Sequence, residues 1–137
     1  MLVFLAALFA AFSPSISINQ PTPKLNDSIT FTATYPSVAR KKIGTRQKVQ
    51  PQVDVYCSQA GATVYWQVTS MATEQSLGGG WWQGTTGSVT LGGLSNMGLE
   101  WTSGGADCSV VIGYYTTDQT GALYWHEVAQ QNFTVAP

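Results

Sequence analysis

Val53-Asp54-Val55-Tyr56-Cys57, Val64-Tyr65-Trp66-Gln67-Val68 and Cys108-Ser109-Val110-Val111-Ile112 are the three runs whose reading decides the fold. Each alternates with a period of two, the pattern of a strand that buries one face. The alternation turns Val53, Val55 and Cys57 inward on the first run, Val64, Trp66 and Val68 on the second, and Cys108, Val110 and Ile112 on the third. The chain holds no other cysteine. Two inward sulfurs on strands of facing sheets, joined as a disulfide with an indole packed beside them, predict a two-layered β-sandwich. Gln59-Ala60-Gly61 is a tight turn, however, so the first two runs form a hairpin and Trp66 need not lie in the sheet opposite Cys57. Strand topology stays open at this point.

The 137 residues suffice for one domain with a core of its own. Charged residues are only 9% of the chain and the net charge is −1, which argues against capture of nucleic acid. Aromatics at 12% and fourteen glycines, with few helix-favouring residues, favour strands and turns. An even cysteine count fits an oxidised pair in an extracellular setting, worth about 4 kcal/mol on the chain-entropy model. Two buried free thiols in a reducing compartment are the alternative.

Residues 1–15 begin with the apolar run Met1–Phe12, which is shorter than the ~20 residues of a transmembrane span. It is expected to be a truncated secretory signal that lacks a basic leading region. Residues 16–27 carry Pro21 and Pro23 and are expected to be a linker. The domain is then 28–137. Ser28–Tyr35 is the clearest strand, with Ile29, Phe31, Ala33 and Tyr35 on one face. Leu123–Val128 reads as the returning strand of a hairpin, continued by Asn132–Val135 after a bulge at Ala129–Gln131.

Two features suggest binding. Arg40, Lys41, Lys42, Arg46 and Lys48 concentrate five of the six basic residues within nine positions, a patch suited to an anionic glycan or lipid headgroup, or else a solvated connection or charged edge. Ser70–Gly87 reads as a loop around Leu77-Gly78-Gly79-Gly80-Trp81-Trp82, where neighbouring indoles on a strand face opposite ways, so both cannot be core. Exposed rings beside glycines suit sugar stacking or protein contact; packing on the sandwich edge is the alternative. Trp101, in the long irregular stretch Gly92–Ala106, is either a third binding ring or a plug over the sandwich's end.

Ser28-Ile29-Thr30-Phe31, Pro51–Cys57, Leu77-Gly78-Gly79, Gly104–Cys108, Tyr114-Tyr115 and Phe133 together resemble the small immunoglobulin-like proteins of actinobacteria and their tailed phages, over residues 28–135. The resemblance implies an all-β, immunoglobulin-like antiparallel sandwich of about seven strands with one Cys57–Cys108 disulfide, displayed on a cell or virion surface. It also implies a non-enzymatic role: weak adhesion to glycan or cell-envelope polymer, or decoration of a virion or surface assembly, with no cofactor, metal or catalytic residue.

The residues agree that enzymatic chemistry is poorly supplied. A single histidine, His126, would have to anchor any Ser/His/Asp site of a small secreted hydrolase, and Glu74 with Glu100 is the one conceivable carboxylate pair. No His/Cys/carboxylate spacing suits a metal, and no glycine-rich segment leads into a helix to cradle phosphate.

Overall fold

β-branched and aromatic residues at alternate positions produce an all-strand molecule. A computed structural model describes residues 11–37, 39–42, 45–48 and 50–137. The strands are β1 (Ser15–Ile18), β2 (Ser28–Ile29), β3 (Phe31–Pro36), β4 (Ala39–Lys42), β5 (Thr45–Lys48), β6 (Gln52–Gln59), β7 (Ala62–Gly78), β8 (Trp81–Thr86), β9 (Val89–Thr90), β10 (Gly93–Leu94), β11 (Glu100–Trp101), β12 (Ala106–Thr117) and β13 (Leu123–Val135). Seven of them form one antiparallel sheet in the order β1-β3-β8-β7-β6-β12-β13. The 17-residue β7 is too long for a single layer and changes partner partway along. It pairs with β6 up to Ser70 and with β8 from Met71 onward. The sheet therefore folds over on itself at β7. β1 comes to lie against β12 and β13, and the Phe31 and Phe133 rings meet at 5.9 Å.

Between the layers sits a core whose largest members are Trp101, Tyr65, Phe31, Leu91 and Ile112. Ile29, Phe31, Ala33 and Tyr35 are all buried, as their alternation requires, although Thr30 breaks the run into β2 and β3 with different partners. Val53, Val55, Cys57, Cys108, Val110 and Ile112 also point inward.

The disulfide is present, between Cys57 and Cys108, but it does not pin two facing layers. β12 joins β6 edge to edge, and Cys108 stands directly opposite Cys57 in that ladder, with 4.1 Å between the Cα atoms. Because the short turn at Ala60-Gly61 commits one edge of β6 to β7, the other edge is left for β12. Two inward sulfurs at the same register position then bond within one layer.

Trp66 is also placed differently from its expected inward position. A bulge between Cys57 and Ser58 shifts the β6–β7 register, setting Tyr65 rather than Val64 opposite Cys57. Tyr65 is the buried ring, its hydroxyl donating to the Thr90 carbonyl at 2.6 Å, while Trp66 turns to the outer face. The alternation could not choose here, since both parities of the run carry large side chains.

Three expected loops or linkers are structured. Ser15–Ile18, which runs from the end of the expected signal segment into the expected linker, is an edge strand paired with β3, burying Ile16, and Pro23 is fully buried. Ser70–Gly87 is mostly a polar β7–β8 hairpin, which conceals its strands because neither face is consistently apolar. Within Gly92–Ala106, β10 and β11 form a small hairpin whose neighbour Asn96 bonds Val68 on the edge of β7 that β8 leaves uncovered: its Oδ1 accepts from the Val68 N–H at 2.9 Å and its Nδ2 donates to the Val68 carbonyl at 2.8 Å. Arg40, Lys41 and Lys42 lie on β4 and Arg46 and Lys48 on β5, a separate two-stranded ladder in which Lys41 stands opposite Arg46. The first ten residues of the apolar segment lie outside the described residues.

Candidate functional site

With Val53, Val55 and Cys57 inward, β6 turns Gln52, Asp54 and Tyr56 to the outer face; β12 likewise turns out Ser109, Val111, Gly113 and Tyr115. Outer-face residues of a sheet normally meet water. Here Asp54 is only 3% exposed and Val111 8%, so something covers them.

The cover is aromatic. Trp66 stacks on Tyr56 with ring centroids 5.5 Å apart and planes 23° from parallel. The Trp66 indole N–H donates to Asp54 Oδ2 at 3.0 Å, the Tyr56 hydroxyl to the same oxygen at 3.0 Å, and Gln52 Nε2 to Oδ1 at 2.8 Å. A buried carboxylate is tolerated only when its lone pairs are taken up in this way. Desolvation, followed by the hydrogen bond to Asp54 and its charge, pushes the Tyr56 phenol up to about 12, so it stays protonated and remains a donor. Farther along the face, the Trp125 indole lies over Gly113. A methyl group there would collide with that ring and with the His126 carbonyl, which is why the position is glycine. Tyr115 rests on Trp125 at 4.9 Å and is 42% exposed. The rings of Tyr56, Trp66, Tyr115 and Trp125 thus form a plaque over Asp54, Val111 and Gly113.

Beyond Tyr56, the same face continues into a shallow groove of about 560 Å³ running past the disulfide, lined by Ser58, Thr63, Asp107, Ser109, Asn132 and Thr134. An aromatic surface therefore adjoins a row of hydroxyl and amide groups. The formal charges on and beside it, Asp54, Asp107 and Glu127, are acidic. The Lys24 backbone is bridged to Ala136, and the five other basic residues lie on β4 and β5.

The expected binding rings are distributed otherwise. Trp101 is 1% exposed, packs edge-on against Tyr65 at 5.8 Å and donates its indole N–H to the Gly104 carbonyl at 3.0 Å; it is a core plug and not a ligand-facing ring. Trp82 packs against the core from β8, and the half-buried Trp81 meets Phe12 at 5.9 Å. The two indoles face opposite sides of the other layer, so the three tryptophans do not share a site. The plaque was foreshadowed in sequence by two signals: Tyr56 and Tyr115 become outward once their strands' apolar faces are assigned, and Gly113 interrupts an apolar strand where another group must approach closely.

The candidate catalytic groups are likewise engaged separately. His126 Nε2 is hydrogen-bonded with Thr116 Oγ1 at 2.7 Å and its ring stacks on Tyr114 at 4.9 Å. Glu74 accepts from the buried Tyr35 hydroxyl, whose pKa is raised by burial and then by that carboxylate. Glu100 is on β11, apart from it. Asp118 accepts from Thr120, Ala122 and Tyr124, which holds its carboxyl below the usual range. Among the described residues no group of three or more His, Cys, Asp and Glu is arranged to hold a metal, and no helix is long and apolar enough to cross a membrane. No protein-family model, curated protein or solved structure matches the chain.

Proposed function

We propose that the protein is a non-enzymatic, surface-displayed module that binds a neutral polysaccharide of a cell or virion envelope along the outer face of β6, β7, β12 and β13. The observation that carries this reading is the aromatic plaque running into a hydroxyl- and amide-lined groove. Sugar rings present C–H faces that stack on indole and phenol rings, and hydroxyls that exchange hydrogen bonds with side chains such as Ser109 and Asn132. The acidic surroundings disfavour an anionic polymer at this face, which leaves neutral glycan as the matching chemistry. The flat, open site implies weak binding to each repeat, suited to adhesion through many contacts. The disulfide supports an extracellular setting, and the resemblance to immunoglobulin-like surface proteins of actinobacteria and their phages points the same way.

Titration calorimetry or array binding against neutral and acidic oligosaccharides tests the proposal. Trp125→Ala is expected to weaken binding about tenfold or more, whereas Trp81→Ala, on the other layer, leaves it unchanged. Absence of binding to any glycan, or equal losses from both variants, would refute it.

A further inference from the structure

β13 is an edge strand along its whole length, yet its two halves are treated differently. Gln131–Thr134 and Ala136 line a groove with Ile18 and Pro21–Pro23, and the Ala136 N–H donates to the Pro23 carbonyl at 3.0 Å, so this half lies under the N-terminal segment. The ladder then slips between Ile112 and Gly113, opposite Val128. Past that bulge, among the described residues, no strand borders the outer edge of Leu123–Val128. Leu123 is 66% exposed and Tyr124 52%, and with Tyr115 they make this ribbon the richest site of exposed large apolar side chains among the described residues.

Natural edge strands are usually blocked by charged side chains, proline, bulges or extreme shortness. This edge, Leu-Tyr-Trp-His-Glu-Val, carries no lysine or proline, and its one charge, Glu127, and the bulge at Val128 fall at its far end.

We infer that Leu123–Val128 pairs with the same segment of a second copy, in antiparallel strand addition about a two-fold axis through Trp125. Each feature of the segment suits that occupant. An axis at Trp125 sets Trp125 against its own counterpart and Tyr124 against His126 of the second copy, aromatic cross-strand pairs formed twice over by symmetry. Leu123 falls opposite Glu127, so no like charges meet. A chain charge of only −1 opposes association little. The axis is normal to the sheet, so both copies turn their outer faces the same way. Two plaques, each ending at Tyr115 and Trp125, become one continuous surface. That last consequence rests on the proposed glycan-binding role; the dimer itself does not.

Sedimentation equilibrium over a wide concentration range is expected to show a reversible monomer–dimer equilibrium. Tyr124→Lys should weaken the dimer about tenfold or more with an unchanged circular-dichroism spectrum, while Gln75→Lys on the exposed part of β7 leaves it intact. Amides on the outer edge of Leu123–Val128 should gain hydrogen-exchange protection as concentration rises. A chain that stays monomeric throughout, a dimer that survives both Tyr124→Lys and Val128→Lys, or protection appearing elsewhere would overturn the inference. Oligosaccharide titration of the monomeric Tyr124→Lys variant separates the two proposals: binding there with no wild-type dimer sinks the strand addition alone, and a wild-type dimer that binds no glycan supports it and sinks only the glycan reading.

Discussion

Asp54 shows how one side chain organises a surface. Three donors converge on its carboxylate, and two belong to rings that would otherwise rotate freely over a sheet face. The anchoring is measurable through Tyr56. Because its phenol titrates near 12 in the folded chain against an ordinary 10.0, the folded state holds its proton where the unfolded chain releases it. The stability this contributes is complete below pH 10 and is lost as pH rises from about 10 to about 12. Tyr65, raised to about 12 by burial, titrates in the same window and adds to the decline. In Asp54→Asn the carboxylate's contribution to the Tyr56 shift disappears while burial remains. Ultraviolet phenolate titration is expected to show Tyr56 moving down toward the ordinary value, with Tyr65 unmoved. A Tyr56 titration unaffected by the substitution would mean that the carboxylate does not hold the ring.

At the scale of the element, β12 with its cross-strand disulfide serves both the core and the proposed binding face. Its inward residues build the core beside β6, and its outward residues supply Tyr115 to the plaque and Val111 and Gly113 beneath it. The bond closes a separation of 51 residues between adjacent strands, so on the chain-entropy model its removal costs about 4 kcal/mol. The double variant Cys57→Ala, Cys108→Ala is expected to lower the urea midpoint accordingly. A midpoint within experimental error of the parent would show that the β6–β12 ladder holds these strands equally well alone. Legibility in the sequence also divides at this scale. The inward faces of β3, β6 and β12 were plain because one parity of each is strongly apolar. The β7–β8 hairpin was read as a loop because Ala72–Ser76 presents polar or small residues on both faces, and backbone pairing leaves no trace in side-chain type.

Over the whole molecule, the N-terminal segment bridges the two layers. β1 pairs with β3 in one layer and lies against β12 and β13 of the other. Lys24 bridges to Ala136, and Ile16 and Pro23 are buried. Deleting residues 1–19 is expected to lower the thermal midpoint by several degrees or to prevent folding, because it uncovers apolar surface on both layers at once. A merely connecting segment would leave the midpoint where it was, so calorimetry of the truncated chain decides between the two.

Alternating side chains by themselves determined that this chain is made of antiparallel strands, which residues of three of them face the core, and that both sulfurs point inward, because these follow from the local geometry of a pleated strand. The tertiary structure alone decided the rest: that Cys57 and Cys108 meet across one ladder, that a bulge turns Trp66 outward in exchange for Tyr65, that Trp101 fills the interior, and that Tyr56, Trp66, Tyr115 and Trp125 gather over Asp54. Each of these depends on which strand lies beside which and at what register, and that is settled by pairings between residues far apart in the chain rather than by any residue's immediate neighbours.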